Sequence, residues 1–504
     1  MPRIPPVTTA GLDDTNRRRR HREVTDLMLN FQHDDSRIRT PAEISAGVTP
    51  VNYAYPPGNA LRYGTNTIPG TTDMTTAIQA AINVAGAGGS RGVAYVPAGA
   101  YLISESLVPG AQNTYTQVTL QGEGCATQII NAASAGKPSF NGSGVASWTL
   151  KDLLFTGNSS HLNDGVLIDG TTLPNTTLRW AIERVVCMMP GIGFNLKNTN
   201  TGRIISCKSW PPGETPIIAP VYTASDISHH ILMTGGYVHD VTIQDFEGII
   251  LSTYKTGQAG IRCNASNAFT IRVIGGLFQC NDNTRYAFDC SNLGQFAIVG
   301  PYVENALIQL DNCQAGVITG LTTGGVGGAM QIVGGSLNNT FTGVQMDSLS
   351  VDSTSAYNTF VGCSFGNAFT DSAGPFNRYI NCLLASSSTR VTDAGAKKRL
   401  RVTQSGGGTK TPDAADVDIY QLQVGDSSAF AIGAPANAFD GKELIISVRN
   451  NTGGAIGAIT WDAIFRMSAF TNPASGNHRS VTFVYDATSA KWFQTNPAGV
   501  DILN

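Results

Sequence analysis

The chain has 504 residues, longer than a single core usually grows, so several domains or an elongated repeat are expected. Charged residues make up 14% of it and glycines number 56, a turn-rich and weakly charged composition, and the net charge of −3 gives no global reason to bind nucleic acid or an anionic membrane. No apolar run reaches the roughly 18 to 20 residues that cross a bilayer. Nine cysteines, odd in number and without CxxC pairs, argue against a disulfide framework or zinc site and read as reduced, buried thiols.

Near the start of the chain stands a basic run, "RRRRHR" (Arg17 to Arg22), followed by "EVTDLMLNFQHDD", which is too polar for the core of a signal peptide. The protein is therefore expected to be soluble and made in a cytosol. Val24, Leu27, Met28 and Phe31 can share one helical face, and Arg17 to Arg20 read as a solvated helix face or a contact with an acidic protein rather than a nucleic-acid contact. In "DMTTAIQAAINVAGAGGSRGVAYVPAGAYLI" (residues 73–103), Ile78, Ala81, Ile82 and Ala85 fall at helical spacing after Thr75 before alternation takes over. A lone helix ahead of many strands suits a cover, because the open end of a stacked coil exposes core and unpaired backbone.

Residues 63–130, with "TTDMTTAIQAAI", "VPAGAYLI" and "LQGEG", resemble the opening segment of the pectate-lyase-like β-helix superfamily. The resemblance implies an all-β fold, a right-handed single-stranded parallel β-helix. The preceding "TPVNYAYPPGNALRYG" (residues 49–64) is similar to the approach segment of bacteriophage tailspikes and tail fibres. That likeness implies a virion-borne homotrimer whose residues 1–62 bind the phage tail or an adaptor protein, and whose trunk meets a bacterial surface polysaccharide. The organisation expected is an adaptor to residue 62, a trunk over 63–398 and a C-terminal module over 399–504.

Further along, "WTLKDLLFTGN", "RWAIERVVCMM" and "GRIISCKSW" read as early coils. Residues 208–230 are proline-rich and aperiodic, and an insertion of this kind in a solenoid is often functional. There Trp210 and Tyr222 are candidates to stack on sugar rings, Glu214 and Asp226 to make polar contacts, and His229 to contact substrate. His229 and His230, adjacent on a strand, would point apart.

Beyond it, strand anchors recur at Val241, Phe269, Phe296, Val317, Phe341, Phe360 and Tyr379, the last three 19 residues apart. Asn267, Asn339, Asn358 and Asn377 each stand two residues before an aromatic, and are expected to form a turn ladder through their amides or to adopt left-handed backbone. The run at residues 324–335, "GGVGGAMQIVGG", is the candidate trimer flank. From Arg399 on, "KELIISVRN", "RSVTFVYD" and "AKWFQT" alternate, predicting an antiparallel β-sandwich-like module in which Trp461 and Trp492 are core.

Hydrolysis of a polysaccharide needs two carboxyl groups, one protonated and one ionised. Coils stack about 4.8 Å apart, so acids two coils apart reach the edge of the inverting range. Counted from the anchors, Glu247 and Glu304 are the candidate pair, Asp245 and Asp282 the alternatives, and Tyr302 a substrate contact. The signatures that polygalacturonases carry are missing, as is the calcium-ligand cluster of pectate lyases, so pectin is disfavoured and no metal or cofactor is expected. The function expected is tailspike recognition and depolymerisation of capsule or O-antigen, the alternative being a tail fibre or adhesin that binds without cleaving.

Overall fold

The computed structural model describes residues 39–504 except 88–91, 113, 158–162, 172–177, 189–190, 211–228, 251–258, 281–284, 325–327, 374–375, 385–388, 391–398, 416, 497–501 and 504. The basic run and its neighbours to residue 38 lie outside this range. The chain divides into two compact units, Met1–Gln331 and Ile332–Asn504.

The first unit is a parallel β-helix. Leu277 pairs with Tyr302 and Tyr302 with Thr322, all in parallel register, so the chain returns to the same place after 25 and then 20 residues. Each coil has three faces. The first holds Arg272–Ile274, Ala297–Val299 and Val317–Thr319; the second holds Glu247–Ile250, Leu277–Cys280 and Tyr302–Glu304. Ala259–Cys263, Tyr286–Ser291 and Leu307–Asp311 form the third. Alternate residues point inward and stack coil on coil, as Ile243, Val273, Ile298 and Ile318 do, none more than 3% exposed.

The corner between the first two faces turns on a left-handed residue in each coil, Asp245, Gly275, Gly300 and Gly320, with φ between 50° and 68°, joined in one coil by Gly276 at 99°. The corner between the second and third faces is where the chain lengthens: segments 211–228, 251–258 and 281–284 all leave from the ends of second-face strands.

The register corrects two of the anchors. Thr242 pairs with Arg272 and Ala297 with Val317, so the counterparts of Val241 and Phe296 are Ile271 and Gly316, not Phe269 and Val317. Gly316 needs no side chain, because the Phe296 ring fills its place: a Cβ there would come within 2.1 Å of that ring. Phe269 points outward and is 38% exposed.

The helix runs over Thr75–Gly86 and buries Ala77, Ile78, Ala81, Ile82 and Ala85, covering the Val93–Tyr95 strand that starts the first coil. The chain joins the coil before residue 63, since Tyr95 N–H donates to Gly58 and Asn59 bridges to Tyr95. Beneath this lies a buried ion pair. Glu43 accepts from Arg62 Nη2 at 3.2 Å and from the Tyr63 hydroxyl at 3.0 Å, and is itself inaccessible to solvent. Burial alone would raise the Glu43 carboxyl, but the bonds from Arg62, Thr40 N–H and Tyr63 prevail and hold it at about 2.

A depressed carboxyl contributes stability that is whole above its unfolded value of 4.5 and is lost as pH falls through about 2. The pair is therefore expected to contribute on the order of 3 kcal/mol to anchoring residues 39–63 at neutral pH. Limited proteolysis should show cleavage in this segment of Glu43→Gln at pH 7, where the parent resists, and in the parent only below pH 4. Equal resistance of the two proteins at pH 7 would refute this.

In the second unit, coils of 19 residues repeat: Phe341 pairs with Phe360 and Phe360 with Tyr379. Their rings stack at 4.5 and 4.7 Å, nearly parallel. The asparagine ladder is present in the side chains. Asn358 Oδ1 accepts from both Asn339 N–H and Nδ2 at 3.0 Å, Asn377 Oδ1 accepts from Asn358 N–H, and all three residues are fully buried. The left-handed backbone belongs to the residues before them, Asn338 and Tyr357. Asn267, in the first unit, is exposed and stands in no such ladder, because its repeat is offset with that of Phe269.

The C-terminal module differs from the antiparallel expectation in its first half. Arg399–Gln404, Ile419–Val424 and Glu443–Asn450 pair in parallel, as do Thr409–Lys410, Phe430–Ile432 and Ile459–Trp461. Antiparallel pairing comes in with Asn477–Asp486, which pairs so with Glu443–Asn450, Lys491–Gln494 and Ile502–Leu503. Alternation reports one buried face of a strand, and it is the same whichever way the neighbour runs. Trp492 is fully buried, and Trp461 packs on Phe465, Phe470 and Phe483.

Eight of the nine cysteines are buried thiols and Cys125 is exposed. Among the described residues no helix is long and apolar enough to cross a membrane.

Candidate active site

Of the described residues singled out in the sequence, Glu247, Tyr302 and Glu304 lie on the second face, Trp210 follows a second-face strand, Asp245 stands at the corner before that face, and His229 starts a strand whose first residues belong to the third face. Glu247 stands between Lys208 on the coil before and Leu277 on the coil after. Its carboxylate takes a salt bridge from Lys208 at 2.7 Å and a hydrogen bond from Trp210 Nε1 at 3.1 Å, while Lys208 Nζ lies 4.7 Å from the Trp210 ring. Trp210 is held from below by Leu154, Val186 and Met188. Lys208, Trp210 and Glu247 thus form one partly exposed polar and aromatic cluster where the 211–228 segment departs.

Two coils on, the residue in register with Glu247 is Tyr302, 41% exposed; Glu304 stands two positions further along its strand, in register with Gln279. Strand spacing and rise put the Cα atoms of Glu247 and Glu304 about 12 Å apart. Asp245 occupies the left-handed corner and accepts from Gln244 Nε2. Tyr222, Glu214, Asp226 and Asp282 lie outside the described residues.

His229 and His230 open the Gln244-ending strand and point to opposite sides. His230 is interior, donating Nε2–H to the Ile249 carbonyl while Nδ1 accepts from the Ser209 hydroxyl, both at 2.7 Å. His229 faces outward with Nδ1 accepting from Ala259 N–H. Burial, helped by the charge of Arg262, lowers its imidazole to about 4, so it is neutral at neutral pH and offers Nε2–H as a donor.

The third face carries a cluster that the sequence reading missed. Asp289 is 13% exposed, with Arg262 Nε 3.4 Å from its carboxylate on the preceding coil. Burial pushes the Asp289 carboxyl above the usual range, the Arg262 guanidinium opposes this, and the Asp311 carboxylate adds to it. Asp289 is in register with Gln309, and Asp311 is two positions further along that strand on the same outward side. Strand geometry sets the two acids about 8 Å apart at Cα. Tyr286 faces outward beside Asp289 because the pairing is irregular between Tyr286 and Phe288. Asp164, at the start of its own third-face strand, is likewise raised by burial, against hydrogen bonds from Asn195 and Ile192 N–H.

Among the described residues no group of three or more His, Cys, Asp or Glu is placed to hold a metal ion. The arrangement can do general acid and base chemistry, with Asp289 raised by burial as the acid and Asp311 beside it as the base.

The family model for rhamnogalacturonase A/epimerase, pectate lyase-like, matches residues 59–275. Three solved structures show the scale of the wider likeness. The A-module of the mannuronan C-5 epimerase AlgE6 of Azotobacter vinelandii is 15% identical, covering 80% of this chain and 97% of that one at a TM-score of 0.40. Tailspike protein 3 of bacteriophage CBA120 is 14% identical, covering 88% and 69%, also at 0.40. PfbA, a surface adhesin of Streptococcus pneumoniae, is 13% identical, covering 88% and 99%, again at 0.40. Among curated proteins there is no match.

Proposed function

We propose that this chain is a tailspike-type polysaccharide depolymerase that binds a bacterial surface glycan along its coils and hydrolyses it at the third face. The observation that carries the reading is the Asp289 and Asp311 pair, two outward acids on adjacent coils whose Cα atoms stand about 8 Å apart, a spacing on the scale of the roughly 6.5 to 9.5 Å between the carboxyl groups of inverting hydrolases, with Asp289 raised by burial. The pectate-lyase-like match over residues 59–275 supports a carbohydrate ligand.

In this mechanism Asp289 gives its proton to the glycosidic oxygen as the C–O bond breaks. Asp311 takes a proton from the water that attacks the anomeric carbon from the opposite side. Arg262 opposes that rise and stabilises the carboxylate left on Asp289 once its proton has gone to the leaving oxygen; Asp311 then returns its proton to solvent and Asp289 takes one back, which resets the pair. Glu247, Glu304, Trp210, Tyr302 and His229 act as glycan contacts along the neighbouring face and corner.

The particle-borne role keeps residues 1–62 as the tail or adaptor contact, and a homotrimer as the assembly. Ile274, Val299 and Val317, between 37% and 44% exposed on the first face, support side-by-side packing of copies. Light scattering on the purified chain should give three times the 53.0 kDa of the monomer; the monomer mass alone would overturn the trimer.

The function is tested by incubating the purified protein with capsular polysaccharides and O-antigens and measuring new reducing ends. Shortened oligosaccharides are expected. A glycan that is bound but stays at full length would replace the depolymerase with an adhesin.

A further inference from the structure

Beside the acid pair, where the third face turns back toward the first, lies a cavity of about 330 Å³ whose lining includes Asn267, Phe269, Asn292, Gln295, Asn312 and Gln314. We propose that it is a carbohydrate subsite that takes an uncharged hexopyranose ring.

Three features carry this. The first is the platform. Phe269 lies across Gly294, where a Cβ would come within 2.6 Å of the ring, so glycine at 294 is what lets the ring lie down. His239 meets that ring edge-on at 5.7 Å, and Tyr237 meets His239 in the same way, which fixes the ring while leaving Phe269 38% exposed. An exposed aromatic face braced in this manner suits the apolar C–H face of a sugar.

The second is the amide rim. Asn292 and Asn312 hold left-handed corner positions, φ 58° and 51°, and Asn312 Nδ2 donates to Asn292 Oδ1 at 2.8 Å. That bond leaves the Asn292 NH₂ and the second lone pair of each amide oxygen for a ligand. The side-chain amides of Asn267, Gln295 and Gln314 make no hydrogen bond among the described residues. A carboxamide presents a donor and an acceptor side by side, as a pair of neighbouring hydroxyls requires. A turn ladder alone would account for Asn292 and Asn312, but not for the open amides and the flattened ring around them.

The third is charge and place. No ionisable side chain lines the cavity, so an anionic sugar or a phosphate would find no counter-charge. Asn312 follows Asp311 directly, so a glycan lying over the acid pair continues into the cavity. The inference rests on the glycan reading above but not on cleavage.

The test uses the full chain carrying Asp289→Asn, so that turnover does not interfere, and saturation-transfer NMR with glucose, galactose, mannose, rhamnose, N-acetylglucosamine and glucuronic acid in turn. At least one neutral sugar should give signal from its ring C–H protons. That signal should fall at least fivefold when Phe269→Ala is added, and equally when Asn312→Ala and Gln314→Ala are added together, with circular dichroism unchanged. Absence of signal from every neutral sugar, signal insensitive to both sets of changes, or glucuronic acid binding as well as the neutral sugars would overturn the subsite. Phe269-dependent binding in a protein whose Asp289-bearing parent releases no reducing ends would uphold it, and would remove only the cleavage.

Discussion

Asp289→Asn is expected to lower the rate of polysaccharide cleavage by about 10² to 10⁴-fold, the usual loss when a general acid is removed, while glycan binding stays within about twofold. The asparagine keeps the shape and can still meet Arg262, but has no proton to give. Asp311→Asn should cost a similar factor for a different reason, since water then has no base. The pH dependence separates the two. Burial raises Asp289, so its protonated form persists above the ordinary carboxylate range, and activity should fall as pH rises past that raised value. Removing Arg262, which opposes the rise, should move that falling limb to higher pH. Initial rates of reducing-end release across pH 3 to 8 would check this; a limb that stays in place in Arg262→Ala would show that Asp289 is not the acid.

Phe360→Ala should destabilise the second unit by about 3 to 5 kcal/mol, as large aromatic truncations in packed interiors do. Phe360 is fully buried between Phe341 and Tyr379, with ring centroids 4.5 and 4.7 Å away, and a third ring, Phe365, meets it edge-on. The backbone around it is pinned by the Asn339, Asn358 and Asn377 ladder, so the coils cannot collapse into the space. In a unit of this size the loss amounts to a fall in the unfolding midpoint of roughly 10 °C. Phe360→Leu should recover most of it. A fall of less than about 3 °C in Phe360→Ala would mean the stacked column does not bear on stability.

The parts of the molecule that repeat were legible in the sequence. Phe341, Phe360 and Tyr379 could be aligned by eye because 19-residue coils carry no insertions, and the helix at Thr75 stood out because its spacing differs from all that follows. Phe269 misled for a physical reason: it follows Asn267 in the same words as the true ladder, yet occupies an outward position two residues early. The acid pair was missed because counting ran from anchors on the first face, whereas Asp289 and Asp311 stand on the third, in a 20-residue register that no anchor marks. Counting did place Tyr302 in register with Glu247, but could not show that Lys208 and Trp210 already engage that carboxylate. Those partners come from the preceding coil, nearly 40 residues away, and no local pattern announces them.

The central claim, hydrolysis by Asp289 and Asp311 across a gap that admits a water, is tested most directly by proton NMR of the first products formed from a cleaved surface polysaccharide. The separation of the two acids predicts a new reducing end of inverted anomeric configuration. A retained anomer, an unsaturated sugar at the new end, or inverted product at an undiminished rate from Asp289→Asn would contradict it.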